Sequence, residues 1–274
     1  MLGKEPMVVQ HDRHGSPLFS DTGLHELLAS VPDDSIKVKT AHQDYGELFS
    51  TRQASRQTLL QLIDTPSADC WIALHEVEST SLLKPLFTAM AAALMASLPP
   101  RYGAVLYCTG SLFISRGKAS TPYHLDYGSN LLLQLRGHKH FMAFSPNDPT
   151  LVSRETLRQF FSGDANPHSL HYDPAHDHKA LALDLAPGMG IYMPSTTPHC
   201  TETRTQDLSI TASLSFVSPL AERLRRSSLF DNRVPPLRFL PQGFKHGVVA
   251  AYEGLRALNG DLKPRHKSFR PLPL

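Results

Sequence analysis

Apolar residues recur at two different periods along this chain, and the change of period divides it. Between Pro17 and Leu98 the spacing is mainly helical. Leu24, Leu27 and Leu28 form one stripe, with Asp21 or Thr22 placed to cap it. Leu59, Leu60, Leu62 and Ile63 form a second, and Leu83, Leu86, Phe87, Met90, Leu94 and Met95 a third, whose Met and Phe residues read as core. Trp71-Ile72-Ala73-Leu74 interrupts this pattern as a short buried strand. From Gly103 to Pro219, short apolar runs alternate with turn residues. They predict strands over Ala104–Tyr107, Ser111–Ile114, Asn130–Leu135, Phe141–Phe144, Leu181–Leu185, Gly190–Met193 and Ile210–Phe216, with an inserted helix over Ser153–Phe161. Helical spacing returns around Ala221–Phe230 and Phe244–Leu258. The expected fold is mainly β, a double-stranded β-helix or jelly roll with helical additions at both ends. Its expected parts are a helical or mixed region over 1–102, a barrel over 103–219 and a helical region over 220–274. No internal repeat is evident.

Composition narrows the picture without redirecting it. A chain of 274 residues, 41% hydrophobic and 19% charged, has the make-up of a globular protein with a sizeable core. Met1 to Ser16 is polar and lacks the apolar core of a signal peptide. The longest apolar run, Ser81 to Leu98, carries Lys84 and Pro85 and ends at Pro99-Pro100, too broken for a membrane span. Cys70, Cys108 and Cys200 have neither paired nor zinc-motif spacing, which fits a reducing, cytoplasmic setting. From Glu222 onward eleven Lys and Arg face four Asp and Glu, so this stretch carries +7 and the rest −5. Such a stretch could meet an acidic protein or nucleic acid, but no aromatic-interleaved basic stripe supports nucleic-acid binding, so it reads as a solvated helical face. Nucleic acid and membrane are not expected partners.

The candidate chemistry sits in Ser120 to Phe144, STPYHLDYGSNLLLQLRGHKHFMAF. His124 and Asp126 are two residues apart in strand-like surroundings, where residues i and i+2 share a face, so imidazole and carboxylate converge. His199, in GMGIYMPSTTPHCTET, completes a set of two histidines and one carboxylate. That facial triad keeps coordination positions open and suits non-haem Fe(II) oxygenases. With 15 histidines the pairing alone is weak: His42-Gln43-Asp44 and His171-Tyr172-Asp173 repeat it. A denser cluster, His168, His171, Asp173, His176, Asp177 and His178, follows Gly163 to Pro167 and contains Pro174. It reads as a solvated loop between strands, with a lid or substrate rim as its functional reading, because loops hold ligands less rigidly than strands. Cys200 directly follows His199 and on a strand points away from the metal, into packing. Lys139, between His138 and His140, is an exposed strand residue or, if turned into the barrel, a charge that needs an anionic partner.

Thr121-Pro122-Tyr123-His124-Leu125-Asp126, then Asn130, Gln134, Gly137 and Lys139, then Pro187-Gly188-Met189-Gly190, Pro194 and His199, resemble the JmjC-type cupin oxygenases. The likeness is strongest to the branch with the asparaginyl hydroxylase that inhibits the hypoxia-inducible factor. It covers roughly residues 103 to 218, and its order, spacing and flanking residues agree together. The resemblance implies a cupin jelly roll, Fe(II) on His124, Asp126 and His199, and 2-oxoglutarate as cosubstrate with O2. It places Lys139 and Thr121 on the distal carboxylate of 2-oxoglutarate, and Asn130 near metal and cosubstrate. Met189 replaces the usual acid of a PGD turn, and a family tyrosine has Tyr107 as a candidate here. The implied activity is hydroxylation of a side chain on a protein, peptide or amino acid. Methyl-lysine demethylation and a non-catalytic binding cupin are the alternatives, the latter if Lys139 or His199 fails to converge. Relatives also suggest a homodimer built by the C-terminal helices.

Overall fold

The computed structural model describes residues 2, 4–39, 45, 51–162, 170–233, 241, 244, 247–249 and 251–252. The first elements are β1 (Met7–Gln10), α1 (Asp21–Ser30), β2 (Ile36–Lys39), β3 (Arg52–Gln53), α2 (Arg56–Asp64), β4 (Cys70–His75) and α3 (Lys84–Ser97). The barrel strands follow as β5 (Tyr107–Arg116), β6 (Ala119–His124), β7 (Ser129–Arg136) and β8 (Lys139–Ala143). Helix α4 (Arg154–Ser162) precedes β9 (Leu181–Leu185), β10 (Met189–Met193), β11 (His199–Thr203) and β12 (Ser209–Val217), and α5 (Pro219–Arg233) comes last. The helix expected over Phe244–Leu258 lies mostly outside the described residues.

Two antiparallel sheets face each other, one ordered β1-β10-β7-β12-β5-β4-β2-β3 and the other β6-β11-β8-β9. This is the expected jelly roll, a cupin fold with helices in its N- and C-terminal parts. The two expected strands Ala104–Tyr107 and Ser111–Ile114 are instead the single strand β5, which begins at Tyr107 and pairs with β12 along its whole length. Among the described residues the stretch before Gly103 holds three α-helices and the strand at Trp71–Leu74 as its pattern predicts, and three further strands besides. β4 pairs with β5, β2 with β4 and β1 with β10, so this stretch extends the larger sheet at both edges. β1, β2 and β3 are only four, four and two residues long, too short for alternation to stand out. The cap of α1 is Ser20, whose Oγ accepts from the Gly23 amide at 3.2 Å; Asp21 and Thr22 already lie in the first turn.

The larger sheet is two-sided. Ile210, Ala212, Leu214 and Phe216 of β12, Leu112 and Ile114 of β5, and Ile72 and Leu74 of β4 face one core with Leu24, Leu28, Leu59, Phe87 and Leu94 of α1–α3. The alternate residues Thr211 and Ser213, Phe113 and Ser115, and Trp71 and Ala73 face the other sheet. The largest core is therefore outside the barrel, and the barrel interior combines a smaller apolar cluster around Phe141, Leu132 and Ile191 with polar side chains. Lys39 donates to the Ser120 carbonyl at 2.8 Å, and the Ser115 and Thr203 hydroxyls lie 2.7 Å apart, so polar contacts tie the sheets together.

The crossing from β7 to β8 passes Gly137 at φ +64°, where an added Cβ would sit 2.3 Å from the Leu208 carbonyl oxygen. Gln134 braces this turn, donating to the Arg136 and Gly137 carbonyls at 2.7 and 3.2 Å. Its carbonyl accepts from Thr211 at 2.8 Å. Lys139 opens β8 directly after this turn.

Candidate functional site

The inner face of the smaller sheet brings the two histidines together. β6 and β11 pair antiparallel with His124 opposite His199 and Thr121 opposite Thr201. Three steps on β6 therefore match two on β11, which marks a bulge. The extra residue reverses the alternation, so Thr121 and His124 share the inner face. Tyr123 packs outside with Met142, Phe144 and Cys200. Cys200 points away from the site, as its place beside His199 predicts, and burial pushes its thiol up.

Asp126 reaches the histidines by a different route from the one expected. β6 ends at His124, and Asp126 lies in the turn that follows rather than on the strand. Its position depends on hydrogen bonds instead of pleat: its carbonyl accepts from the Thr196 amide at 3.0 Å, and its Oδ2 accepts from Asn130 Nδ2 at 2.7 Å. His124 Nε2 is 4.0 Å from Asp126 Oδ1, and His199 Nε2 is 3.9 Å from Oδ2. These separations exceed hydrogen bonds and are about twice a metal–nitrogen bond of about 2.1 Å. One ligand atom from each residue lies within 4.8 Å of the others. Among the described residues this is the one group of three or more His, Cys, Asp or Glu with that convergence.

The donor chemistry fits a divalent cation. His124 Nδ1 lies 2.8 Å from the Pro122 carbonyl and His199 Nδ1 lies 3.0 Å from the Thr197 carbonyl. A carbonyl only accepts, so each Nδ1 carries a proton and each Nε2 is the ring nitrogen turned towards Asp126. Burial, followed by the neighbouring His199, holds His124 down to about 4, in the neutral form a metal needs. Phe141 stacks on His199 with centroids 5.7 Å apart and rings 5° from parallel, which fixes the second imidazole. The Asp126 side chain is 44% exposed, so the site opens to solvent on the carboxylate side.

The other expected residues also face inward. Lys139 is 6% exposed, and burial lowers its ammonium to about 8. It lies on the same side of β8 as Phe141, with β11 between it and Thr121. Thr121 Oγ1 accepts from Trp71 Nε1 at 3.1 Å. Tyr107 lies near Tyr127 and Glu222, at the start of β5, eight residues before Ser115, which pairs with Trp71. At about 3.3 Å per residue that is roughly 26 Å from the Thr121 end of the barrel.

The histidine-rich loop does not join this site. His171, Asp173, His176, Asp177 and His178 are described and His168 is not. Asp173 caps a short 3-10 helix over Pro174–Lys179, and Tyr172 donates to Asp177 at 2.7 Å. Leu170 and Tyr172 pack on the outer face of the smaller sheet, opposite the triad. His42-Gln43-Asp44 lies outside the described residues.

Two contributors escaped the sequence reading. Trp71 was legible only as part of a strand, although the alternation of Trp71 and Ala73 against Ile72 and Leu74 sets its ring inward. His75, at the end of the same strand, is exposed, has Nδ1 3.1 Å from Ser111 Oγ, and has its pKa lowered by surrounding protein. The Asp126 carboxylate is close enough to oppose that shift. Being a lone histidine among fifteen, it gave no signal in the sequence.

Known proteins share this framework. A crystal structure of E. coli YcfD is similar over 98% of this chain and 61% of that one, with a TM-score of 0.51 and 19% identity, a likeness of fold. A second, described as E. coli ribosomal oxygenase YcfD, gives a TM-score of 0.49 at 16% identity, over 98% of this chain and 59% of the other. The zebrafish (Danio rerio) HSPB1-associated protein 1 homolog is 33% identical over 99 residues, covering 34% of this chain and 22% of the relative. The chain thus spans about six-tenths of the solved chains and about a fifth of that relative. Among the described residues no helix is long and apolar enough to cross a membrane. The model of the cupin-like domain matches residues 9–220, and this chain belongs to that family.

Proposed function

We propose that this protein is an Fe(II)- and 2-oxoglutarate-dependent oxygenase that hydroxylates a side chain of a protein or peptide. The observation that carries the reading is the convergence of two imidazoles, each with Nδ1 on a carbonyl, and one carboxylate held by Asn130. Two nitrogens and one carboxylate oxygen form the donor set of Fe(II) oxygenases and leave positions for cosubstrate and O2. When bound, Fe(II) and 2-oxoglutarate supply oxidation of a C–H bond by O2, with succinate and CO2 as co-products.

The chain's own residues bind and orient. His124, Asp126 and His199 hold the metal, and Asn130 fixes the rotation of the Asp126 carboxylate. Lys139 and Thr121 take the far carboxylate of 2-oxoglutarate. A buried ammonium is costly without a counter-charge, so the dicarboxylate relieves a cost already present in the barrel. Phe141 and the apolar residues around it exclude water from the deep end. The open side, where Asp126 and His75 meet solvent, admits a side chain from an extended segment. Because YcfD is described as a ribosomal oxygenase, segments of ribosomal proteins are the substrates to try first.

The test is succinate formation from 2-oxoglutarate by Fe(II)-loaded protein exposed to O2, beside Asp126→Ala. Slow turnover in the wild type and none in the variant is expected, rising with an accepted peptide. If the wild type consumes no 2-oxoglutarate with or without candidate peptides, the reading fails in favour of a binding cupin.

A further inference from the structure

The loop that carries Asp126 is anchored at a second point, away from the triad. Glu222, in the first turn of α5, accepts from the hydroxyl of Tyr127, the residue next to Asp126. It also accepts from Arg225 Nε and Nη2 at 2.9 and 2.6 Å and from Arg226 Nε at 2.9 Å. The Glu222 side chain is only 16% exposed. Burial pushes its carboxyl up, but the bonds from Arg225, Tyr127 and Arg226 outweigh burial and hold it at about 2. Arg225 and Arg226 are three and four residues along the same helix and bond Glu222 locally. The Tyr127 bond adds a long-range tie, 95 residues away in sequence.

Tyr127 is also held through its backbone. Its carbonyl accepts from Ser195 Oγ at 2.6 Å, and the Ser195 amide donates to Ser129 Oγ at 2.9 Å. The next residue, Thr196, donates to the Asp126 carbonyl from a backbone at φ +63°, which a β-branched residue adopts only under constraint. The turn leading to His199 therefore grips one side of the Asp126 loop, and α5 grips the other. Residues 125–128 lie between β6 and β7 and have no strand pairing of their own, so these bonds take the place of a ladder.

We propose that Tyr127 and Glu222 are a positioning pair that fixes the Asp126 carboxylate in the geometry the metal requires. α5 is then part of the support of the metal centre and not an appendage to the barrel. The proposal rests on the reading of His124, Asp126 and His199 as metal ligands.

The experiment is a Co(II) titration of the full chain, following the visible ligand-field bands, for wild type, Tyr127→Phe, Glu222→Gln and the double variant. Thermal unfolding is recorded on the same samples. Loss of an outer partner of a metal site costs about 10–100-fold in affinity, and this pair acts one bond further out. Each single variant is expected to bind Co(II) about 5- to 10-fold more weakly, with altered bands. The double variant is expected to be no weaker than the singles, since the two groups act as one. Tyr127→Phe leaves the Glu222–arginine pairs in place, so it carries the test if Glu222→Gln does not fold. Lower thermal stability with unchanged bands and affinities within twofold of wild type would mean a merely structural contact and overturns the proposal. A wild type that binds no Co(II) overturns the metal reading itself.

Discussion

The two faces of the larger sheet come from the same strands and have opposite characters. Along β12, Ile210, Ala212, Leu214 and Phe216 enter the core beneath α1–α3, whereas Thr211 and Ser213 look into the barrel. The outer face is apolar and supplies the burial that drives folding. The inner face mixes hydroxyls and amides with a smaller apolar cluster and faces, from the opposite sheet, Lys139 and both histidines. A barrel stabilised from outside is free to keep a polar interior, and a polar interior is what a charged cosubstrate and a metal need.

This division is broken most severely by damage to the outer face. Phe216→Ala, at a fully buried ring, is expected to cost about 3–5 kcal/mol in denaturant unfolding and leave the metal affinity of the remaining folded protein unchanged. Loss of metal affinity at constant stability would show that the faces are not separable in this way.

On the inner face, Asp126→Ala is expected to lower Fe(II) affinity by at least about 100-fold while the thermal midpoint of the apo-protein stays close to wild type, because the side chain is 44% exposed. Equilibrium dialysis and thermal unfolding measure the two halves of that statement.

Lys139 sharpens the contrast, since its burial costs stability. Its pKa, lowered by burial to about 8 from 10.5, means the unfolded chain holds the proton over a window where the folded chain does not. Stability of the apo-protein should therefore rise with pH between about 8 and 10.5 and receive no further change from this group below that. Affinity for 2-oxoglutarate should run the other way, falling about tenfold per pH unit above 8 as the ammonium is lost. Lys139→Met should flatten both profiles and weaken 2-oxoglutarate about tenfold or more without destabilising the apo-protein. Calorimetry across pH 7 to about 9.5 decides this, and a flat wild-type affinity places Lys139 outside the cosubstrate site.

The smallest effect is expected from Thr211→Val, which removes the 2.8 Å hydrogen bond to Gln134 and should cost about 1 kcal/mol. A larger loss would mean that the Gln134 network holds the turn before Lys139 more strongly than its individual bonds suggest.

The same asymmetry governs what could be read in the sequence. Strands with one fully apolar face, such as β7 and β12, announced themselves by alternation. β6 and β11 did not, because their inner faces carry His124, Thr121, His199 and Thr201 in place of apolar residues. The triad was legible from residue types and spacing, yet the reason for its convergence was not. A bulge in β6 and a hydrogen-bonded turn bring Asp126 to the histidines, where simple strand alternation was expected. The family tyrosine had no fixed position in the sequence for want of a reference point on β5, whose full length shows only when paired with β12. The tie between Tyr127 and Glu222 spans 95 residues and leaves no local pattern.

The most direct test of the account is an anaerobic Fe(II) titration of the apo-protein beside His199→Ala and Asp126→Ala, with unfolding monitored in parallel. One ion per wild-type chain, none in either variant at the same concentrations, and near-equal apo stabilities are the result the account predicts. Wild-type protein that takes up no Fe(II), or variants that bind it as tightly, would contradict it.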